Sequence, residues 1–344
     1  MILIFSISKD PPTNNVVAWL KYAGANVFRF NFDETPDAEL KINYTKNNVF
    51  FETSDRKFSL DDVTAVWYRK GSYYPKMFPS SPSFEGQEEL NTLIEDRLIL
   101  EEKRAGEYLQ FLIKKRNIRI LGNATLGDPN KFILMWEAVR IGLEVPAFNI
   151  SNSLLEVHKK NPEKFITKAI SDCIYLWDLE DAKRAYFSYT EDLQDILKIS
   201  DVENVIPLSV IQSKIKKDFE LRVFYLDGVF IAGAILSQND PQTATDHRKY
   251  NIDYPNRVMP FVLPQEIREK LQKLFDNLEL NTGSVDIIVG LDGKFYFLEV
   301  NPVGMYAPLS NTCNYRIDEA ISAWLQGQDH NEYIKTISDD TRSN

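Results

Sequence analysis

The chain has 344 residues and a mass of 39.8 kDa, with 44% hydrophobic residues, 26% charged residues and a formal net charge of −10. The length predicts two or three domains, and the composition is that of a globular protein with a sizeable core. An acidic chain is a poor general binder of nucleic acid, because neutralising phosphates needs clustered Lys and Arg, and no apolar run is long enough to span a bilayer. We therefore expect neither a nucleic-acid partner nor a membrane partner.

The first eight residues and the cysteines bear on location. Residues 1–8 are apolar, but no basic segment precedes them and no small-residue cleavage site follows. Cys173 and Cys313 form neither a disulfide framework nor a zinc-binding spacing. We predict that the N-terminal segment is a buried strand and that the protein is cytoplasmic.

Apolar runs and helical periodicity alternate over the first 122 residues. They predict a strand over 2–7, a helix over 14–23, a strand over 26–32, a hairpin over 49–60, a strand over 63–69, a helix over 88–115 and a strand over 118–121. This alternation predicts a small doubly wound α/β domain over residues 1–122.

A helix is predicted to follow, with Asp128 as its N-cap, Pro129 at its first helical position and its end at Ile141. The later elements are predicted as strands over 165–170, 210–215, 220–226 and 229–236, a helix from Pro264, and a hairpin of strands 284–289 and 294–300. Residues 171–204 fit no single element. The polar residues 327–344 are predicted to be a frayed tail.

Three oxygen-bearing side chains mark the last predicted hairpin. Asp286 interrupts an apolar strand, and Glu299 and Asn301 are two residues apart on the next strand, so these two face the same side. A hairpin can bring all three side chains around one Mg²⁺, which prefers hard oxygen ligands. The alternative is a strand end with a polar rim.

Two lysines suggest an anion site. Lys168 interrupts a predicted strand, where a cation is out of place unless it faces an anion, and Lys131 lies in the first turn of the predicted helix. Each is equally compatible with a surface lysine whose stem covers apolar neighbours.

The segment over 210–215 is followed by Glu220 and Arg222. An extended hinge can bind an adenine edge through its backbone, an acidic residue can accept ribose hydroxyls, and an arginine can meet phosphate. The alternative is an amphipathic strand pair with solvated charges. Further along, Arg248 lies in a basic cluster after a polar loop, which suits a phosphate or carboxylate clamp or a solvated turn.

The order of these features, from strand lysine through hinge and arginines to Asp…Glu-x-Asn, resembles the ATP-grasp superfamily over residues 123–326. The first domain resembles the pre-ATP-grasp domain that usually precedes it. Three further segments resemble graspetide peptide maturases: VWYRK over 66–70, SQND over 237–240, and NPVG over 301–304 with SNTCNY over 310–315. The last of them resembles the GRASP-with-SPASM type in particular. The resemblance implies an N-terminal pre-ATP-grasp α/β domain (1–122), a central ATP-grasp subdomain (123–206) and a C-terminal subdomain with the metal site (207–326).

The resemblance also implies a role for each candidate residue, with ATP and Mg²⁺ as cofactors. Lys131 and Lys168 would contact the phosphates, Gln212, Ser213 and Ile215 would line the adenine slot, and Glu220 would hold the ribose. Asp286, Glu299 and Asn301 would ligate Mg²⁺, while Arg222 and Arg248 would stabilise the transferred phosphate and the acyl-phosphate. One departure from the pattern is that no glycine occurs between Gly142 and Gly228, where many ATP-grasp enzymes carry a glycine-rich lid. Residues 185–190, rich in tyrosine, are an alternative lid.

The implied activity is that of an ATP-dependent ligase that crosslinks a precursor peptide with a leader and an acidic core. Asp or Glu side chains of the peptide would be activated as acyl-phosphates. They would then be joined to Ser, Thr or Lys side chains of the same peptide as esters or amides. A ligase for a free amino acid or small molecule is a second hypothesis, and a non-catalytic nucleotide-binding scaffold is a third, against which the complete metal set argues. A homodimer is a further possibility that the resemblance raises.

Overall fold

The computed structural model describes residues 1–34, 41–70, 84–127, 129–171, 175–177, 185–187, 189–199, 205–239, 243, 245, 249, 253 and 255–333. Among these residues, no helix combines the length and the hydropathy that a membrane span requires.

The N-terminal domain contains a four-stranded parallel sheet and a three-stranded antiparallel sheet. In chain order its elements are β1 (Ile2–Ser6), α1 (Pro11–Tyr22), β2 (Val27–Asn31), β3 (Lys41–Tyr44), β4 (Val49–Glu52), β5 (Lys57–Ser59), β6 (Ala65–Tyr68), α2 (Glu88–Lys114) and β7 (Arg119–Leu121). The parallel sheet has the strand order β2-β1-β6-β7, and β3-β4-β5 form the smaller sheet. Both helices follow strands of the parallel sheet, as the predicted α/β alternation requires.

Helix α1 begins earlier than the sequence pattern indicated. The prediction placed its start at Asn14, but Asp10 is the N-cap and its carboxylate accepts from the N–H of Thr13, with Pro11 and Pro12 in the first turn. Prolines fit the first turn because its N–H groups have no partner within the helix. Strand β3 was missed, since its alternation of exposed and half-buried residues is short.

The central part of the chain forms a four-stranded antiparallel sheet of order β12-β9-β13-β8 and a separate hairpin, β10-β11. Its elements are α3 (Lys131–Arg140), β8 (Phe148–Ser153), α4 (Glu156–Lys160), β9 (Phe165–Lys168), β10 (Tyr175–Trp177), β11 (Ala185–Phe187), β12 (Glu191–Asp192), α5 (Leu193–Ile199) and β13 (Val205–Ser213). Strand β13 pairs with both β8 and β9, so the predicted limit at residue 206 passes through it.

The predicted start of α3 is wrong. The helix begins at Lys131, and the N-cap is Asn130, whose side chain accepts from the N–H of Phe132. Pro129 therefore precedes the helix, and Asp128 lies outside the described residues. Asn is as good an N-cap as Asp because its side-chain oxygen accepts the same bond, so the sequence offered two starts.

The C-terminal part is a five-stranded antiparallel sheet of order β16-β15-β14-β17-β18, followed by two helices. Its elements are β14 (Lys217–Leu226), β15 (Val229–Leu236), β16 (Arg257–Phe261), α6 (Gln265–Asn277), β17 (Thr282–Gly290), β18 (Phe295–Asn301), α7 (Ala307–Thr312) and α8 (Ile317–Gln326). The predicted hairpin around Gly293 is confirmed as β17 and β18. The sequence analysis had missed β16, α7 and α8.

Two hydrophobic cores cover opposite faces of this sheet. One face, with Leu221 and Val223 of β14, packs with α3 and α6. The other, with Phe224 and Leu226, packs with α7 and α8 and with residues of β1, α1 and β6 from the N-terminal domain. The N-terminal domain and the C-terminal sheet therefore share one core, and the predicted domain limits at residues 122, 206 and 326 stay a prediction.

Candidate active site

A cleft of about 1470 Å³ has walls from the central sheet and the C-terminal sheet. Ten of the eleven candidate residues line it: Lys131, Lys168, Gln212, Ser213, Ile215, Glu220, Arg222, Asp286, Glu299 and Asn301. The eleventh, Arg248, lies outside the described residues. The fold thus brings into one cleft residues that span about half of the chain.

Strand β14 shows how one element serves both the core and the cleft. Its residues 220, 222, 224 and 226 point to one face, because side chains alternate along a strand. On that face Glu220 and Arg222 line the cleft, whereas Phe224 and Leu226 are buried in a core. The cleft therefore lies over the first half of the strand, and the core begins where the residues become apolar.

The predicted metal ligands lie at one end of the cleft. Arg222 is directly opposite Asp286 in the pairing of β14 with β17, and Asp286 is directly opposite Glu299 in the pairing of β17 with β18. The Nε of Arg222 lies 2.7 Å from Oδ1 of Asp286, and each side chain is 19% exposed. Register thus places one cation and two carboxylates in a row across three strands.

These side chains suit a magnesium ion bound together with a nucleotide. In the part of the chain that the structure describes, no three His, Cys, Asp or Glu side chains are grouped so as to hold a metal by themselves. Two carboxylates and one amide supply only part of an octahedral shell. Mg²⁺ characteristically takes the remaining oxygens from phosphate and water, so the donor set fits that ion.

Asn301 is held by the loop that follows it. Its Oδ1 accepts from the N–H of Val303 at 3.0 Å and from the N–H of Gly304 at 3.2 Å. Its side chain is therefore oriented by these two peptide N–H groups, and Mg²⁺ would have to share Oδ1 with them, because an amide oxygen has two lone pairs.

The two predicted phosphate-binding lysines differ in their surroundings. Lys168 is the last residue of β9 and lines the cleft. Lys131, at the start of α3, donates from Nζ to the carbonyl oxygens of Ser171 at 2.8 Å and Ala169 at 3.3 Å. Lys131 thus also ties α3 to the segment after β9.

The hinge between β13 and β14, residues 214–216, lines the cleft. Gln212 is 1% exposed, and its Nε2 has no hydrogen-bond partner within the described residues. The N–H and C=O of Ile215, between the two strands, make no backbone hydrogen bond to any residue that the structure describes. Buried or unpaired polar groups beside apolar walls are what an adenine edge requires.

Glu220 is buried and already engaged. Its Oε1 lies 2.7 Å from Nζ of Lys217 and accepts from the hydroxyl of Ser237 at 2.8 Å. A ribose would therefore have to share this carboxylate with Lys217 and Ser237, and the role in ribose binding stays a prediction.

Several cations of the cleft were not among the candidates. Lys164, Lys214, Lys216 and Lys217 line it, and Lys214 forms an ion pair with Asp192 at 2.7 Å. The lysines at 214, 216 and 217 lie in the hinge or directly after it. The signal that could have indicated these three was the KIKK run over 214–217, from which no cation site was predicted.

Residues 1–86 match the family described as MvdD pre-ATP grasp domain. No curated protein sequence matches the chain significantly. The sequence match is thus confined to the N-terminal domain.

Solved structures match nearly the whole chain. The macrocyclase MdnC from Microcystis aeruginosa MRC, bound with precursor peptide MdnA, is 24% identical with a TM-score of 0.70, and the alignment covers 95% of this chain and 99% of MdnC. A RiPP-associated ATP-grasp ligase from Chryseobacterium gregarium, in complex with ADP and a leader and core peptide, is 24% identical with a TM-score of 0.72, over 95% of this chain and 96% of that one. The ATP-grasp ligase PsnB, complexed with minimal precursor, Mg and ADP, is 15% identical with a TM-score of 0.64, over 95% and 96% of the two chains.

These likenesses define the fold. The chain has an N-terminal pre-ATP-grasp domain followed by an ATP-grasp fold, and it shares this architecture with RiPP-associated ATP-grasp ligases. The predicted fold class, a mixed α/β architecture of this type, is confirmed.

Proposed function

We propose that this protein is an ATP-dependent ligase that crosslinks a ribosomally made precursor peptide. A substrate Asp or Glu side chain attacks the γ-phosphate of ATP and becomes an acyl-phosphate, with release of ADP. A Ser, Thr or Lys side chain of the same peptide then displaces phosphate and closes an ester or an amide. The single observation that carries the proposal is that ten of the residues predicted from the sequence line one cleft.

The charge of the cleft supports a polyanionic ligand. Its described lining includes seven cationic side chains and four carboxylates, whereas the whole chain has a net charge of −10. A local excess of cations in an acidic protein lowers the free energy of a bound triphosphate. The apolar residues at the hinge, among them Phe165 and Ile166, suit a base.

We assign the nucleotide contacts as follows. Lys131 and Lys168 hold phosphate oxygens, Gln212, Ser213 and Ile215 line the adenine slot, and Glu220 accepts from the ribose. ATP would supply the phosphoryl group. Asp286, Glu299 and Asn301 would hold Mg²⁺, which when bound supplies positive charge beside the phosphates.

The two arginines are assigned to the transferred phosphate and the acyl-phosphate. Arg222 lies beside the metal ligands, and Arg248 is assigned only from the order of motifs in the sequence.

The side chains of the cleft suit phosphoryl transfer better than nucleophilic catalysis. Neither His nor Cys occurs among the described lining residues, so these offer no Ser-His or Cys-His pair. Phosphoryl transfer requires positioning and charge stabilisation more than a protein nucleophile. Ring closure within one peptide is intramolecular, so holding that peptide lowers much of the barrier.

The peptide partner is inferred from the structural neighbours. MdnC is bound with precursor peptide MdnA, and the Chryseobacterium gregarium ligase is bound with a leader and core peptide. We extend such a partner, with a leader and an acidic core, to this chain. The predicted homodimer and cytoplasmic location are retained as predictions.

The test is mass spectrometry of an acidic peptide encoded beside this gene, co-expressed with the protein. We expect the loss of one water per ring, dependent on ATP and Mg²⁺ in the purified reaction. A Glu299→Gln variant is the matched control and should leave the peptide mass unchanged.

The other two hypotheses predict different results. Consumption of ATP with a free amino acid, while the peptide mass is unchanged, would favour a small-molecule ligase. Nucleotide binding with no turnover of any substrate would favour a scaffold.

A further inference from the structure

Arg69 is the largest fully buried side chain of the described protein, at 1% exposure. It directly follows β6, and its N–H donates to the carbonyl of Phe5 in β1 at 2.9 Å. Its Nε lies 3.0 Å from Oδ2 of Asp10, the N-cap of α1. A buried guanidinium is costly unless its charge and donors are matched, and Asp10 supplies the matching charge.

The other end of Arg69 leaves the N-terminal domain. Its Nη1 donates to the carbonyl oxygens of Val303 and Gly304, the latter at 2.7 Å, across about 235 residues of sequence. Its guanidinium carbon lies 5.3 Å from the ring centroid of Tyr306. Arg69 therefore binds the loop that follows β18 by two charge-assisted hydrogen bonds and one cation–π contact.

The same two residues of the loop orient Asn301. Val303 and Gly304 accept from Arg69 through their carbonyls, and they donate through their N–H groups to Oδ1 of Asn301. A chain of contacts thus runs from Asp10 through Arg69 and the loop to a candidate metal ligand.

The loop has little room to rearrange. Gly304 has φ of +68°, which favours glycine, and an added Cβ would lie 3.2 Å from the carbonyl carbon of Gly283 and 3.2 Å from the ring of Phe224. Its conformation is therefore set both by packing from one side and by Arg69 from the other.

We propose that Arg69 is a positioning residue for the metal-binding end of the cleft, through the 303–304 peptide groups that hold the side chain of Asn301. This inference rests on the proposed function, because it takes Asp286, Glu299 and Asn301 as the Mg²⁺ ligands. Arg69 is buried and does not line the cleft, so it acts through the loop and not on substrate. Residues that orient a metal ligand without touching the metal strengthen metal binding, because the ligand is held in place before the metal arrives.

The consequence is that the N-terminal domain contributes to magnesium affinity. Asn301 is the last residue of β18, and the loop that orients its side chain follows it directly. The bonds from Arg69 anchor that loop to β6 and to the start of α1.

The test is calorimetry of ADP binding over a magnesium titration, with the full chain. Two variants perturb the loop from opposite sides. The first is a double variant, Asp10→Asn with Arg69→Gln, which removes both buried charges together. The second is Gly304→Ala, which leaves Arg69 intact. We expect the half-saturating Mg²⁺ concentration to rise roughly tenfold in each variant. This is the effect typical of losing a residue that orients a metal ligand. ADP affinity in EDTA should not change, which separates lost positioning from a damaged nucleotide site.

Arg119→Gln is the matched control. Arg119 also bridges the two parts of the molecule, since it donates to the carbonyl of Leu325 at 3.1 Å, but it makes no contact with the 301–304 loop. This variant should have the magnesium dependence of the wild type.

Glu299→Gln separates failure of this inference from failure of the proposed function. If Glu299→Gln loses the magnesium effect while both folded loop variants retain wild-type dependence, the role of Arg69 is wrong and the metal site stands. If the wild type binds no ADP, or Glu299→Gln keeps the full magnesium effect, the proposed function and this inference fail together. Thermal unfolding checks folding. If the double variant does not fold, Arg69→Lys replaces it, because lysine keeps a charge beside Asp10 but lacks the planar fork that reaches Asp10 and the loop together. Wild-type magnesium dependence in folded Arg69→Lys would overturn the proposal.

Discussion

Glu299 makes the sharpest test at the scale of single residues. It lies opposite Asp286 in the register of β17 and β18 and faces the cleft. We expect Glu299→Ala to abolish ATP turnover, because the metal would lose one of only two carboxylates, while the circular dichroism spectrum stays near native. Glu144→Ala removes an exposed carboxylate, paired with Lys294 outside the cleft, and should retain activity. Full ATPase activity in Glu299→Ala would refute the metal assignment.

Lys168 and Lys131 test the phosphate site. Lys168→Ala should weaken ATP binding by roughly 1.5 to 3 kcal/mol, the value of a lost charge-assisted hydrogen bond. Lys131→Ala should do the same and also lower stability, because it leaves the carbonyls of Ala169 and Ser171 without this donor. Isothermal calorimetry measures both affinities, and Lys198→Ala, on the exposed face of α5, is the control. Unchanged ATP affinity in both single variants would place the phosphates elsewhere.

At the scale of elements, Gly233 sets how closely α7 packs on the C-terminal sheet. A Cβ at this position of β15 would lie 2.5 Å from Cδ1 of Leu309 and 3.3 Å from Sγ of Cys313. We expect Gly233→Ala to lower the free energy of unfolding by about 1 to 3 kcal/mol through overpacking. Urea denaturation with an unchanged m-value would measure this loss.

A double-mutant cycle makes the Gly233 prediction specific. Leu309→Ala alone removes buried volume, whereas Gly233→Ala combined with Leu309→Ala places a methyl group into the space that becomes available. The two changes should therefore be less destabilising together than the sum of the single effects. Additive effects would show that the contact with Leu309 is not what excludes a side chain at residue 233.

At the scale of the whole molecule, Asp10 links acid stability to the contact between the two parts of the chain. Burial alone would raise the pKa of Asp10, but Arg69, Thr13 and Lys70 outweigh it and lower the pKa from 3.8 to about 2. A carboxyl with a lowered pKa in the folded state stabilises that state above its unfolded pKa, and the contribution is lost as pH falls toward the folded pKa. The contribution is about 2 kcal/mol at neutral pH by the usual conversion of pKa shift to free energy.

We therefore expect the stability difference between the wild type and Asp10→Asn to be constant above about pH 5 and to shrink as pH falls from 3.8 toward 2. Denaturant titrations at several pH values measure it, with Glu95→Gln on the exposed part of α2 as the control. Asp318 acts in the opposite direction, because burial raises its pKa and stabilises its protonated form. Because Asp318 is present in both proteins, its contribution cancels in the stability difference between the wild type and Asp10→Asn. A difference independent of pH down to 2 would contradict the role of Asp10.

Much of the secondary structure and most of the candidate site could be predicted from the amino-acid sequence. Continuous apolar runs indicated β1 and β6, whose residues are all buried, and helical periodicity indicated α2. Turn residues between two apolar runs indicated the β17–β18 hairpin. Asp286 and Lys168 were recognisable because a charge within an apolar strand is costly unless it has a ligand or a partner. The predicted start of α3 was wrong because the sequence offers two residues that can cap a helix, Asp128 and Asn130.

Only the tertiary structure decided which of these residues meet, because contacts over long separations depend on strand order and register. The pairing of Arg222 with Asp286, and of Asp286 with Glu299, follows from β14 and β18 flanking β17. Nor could periodicity indicate that Glu220 is held by Lys217 and Ser237. The sequence by itself determined the local elements and the chemistry that their side chains can offer. The contacts that run from Arg69 to Asn301 exist only because folding places the N-terminal domain against the C-terminal sheet, where the buried charge of Arg69 must find its partners.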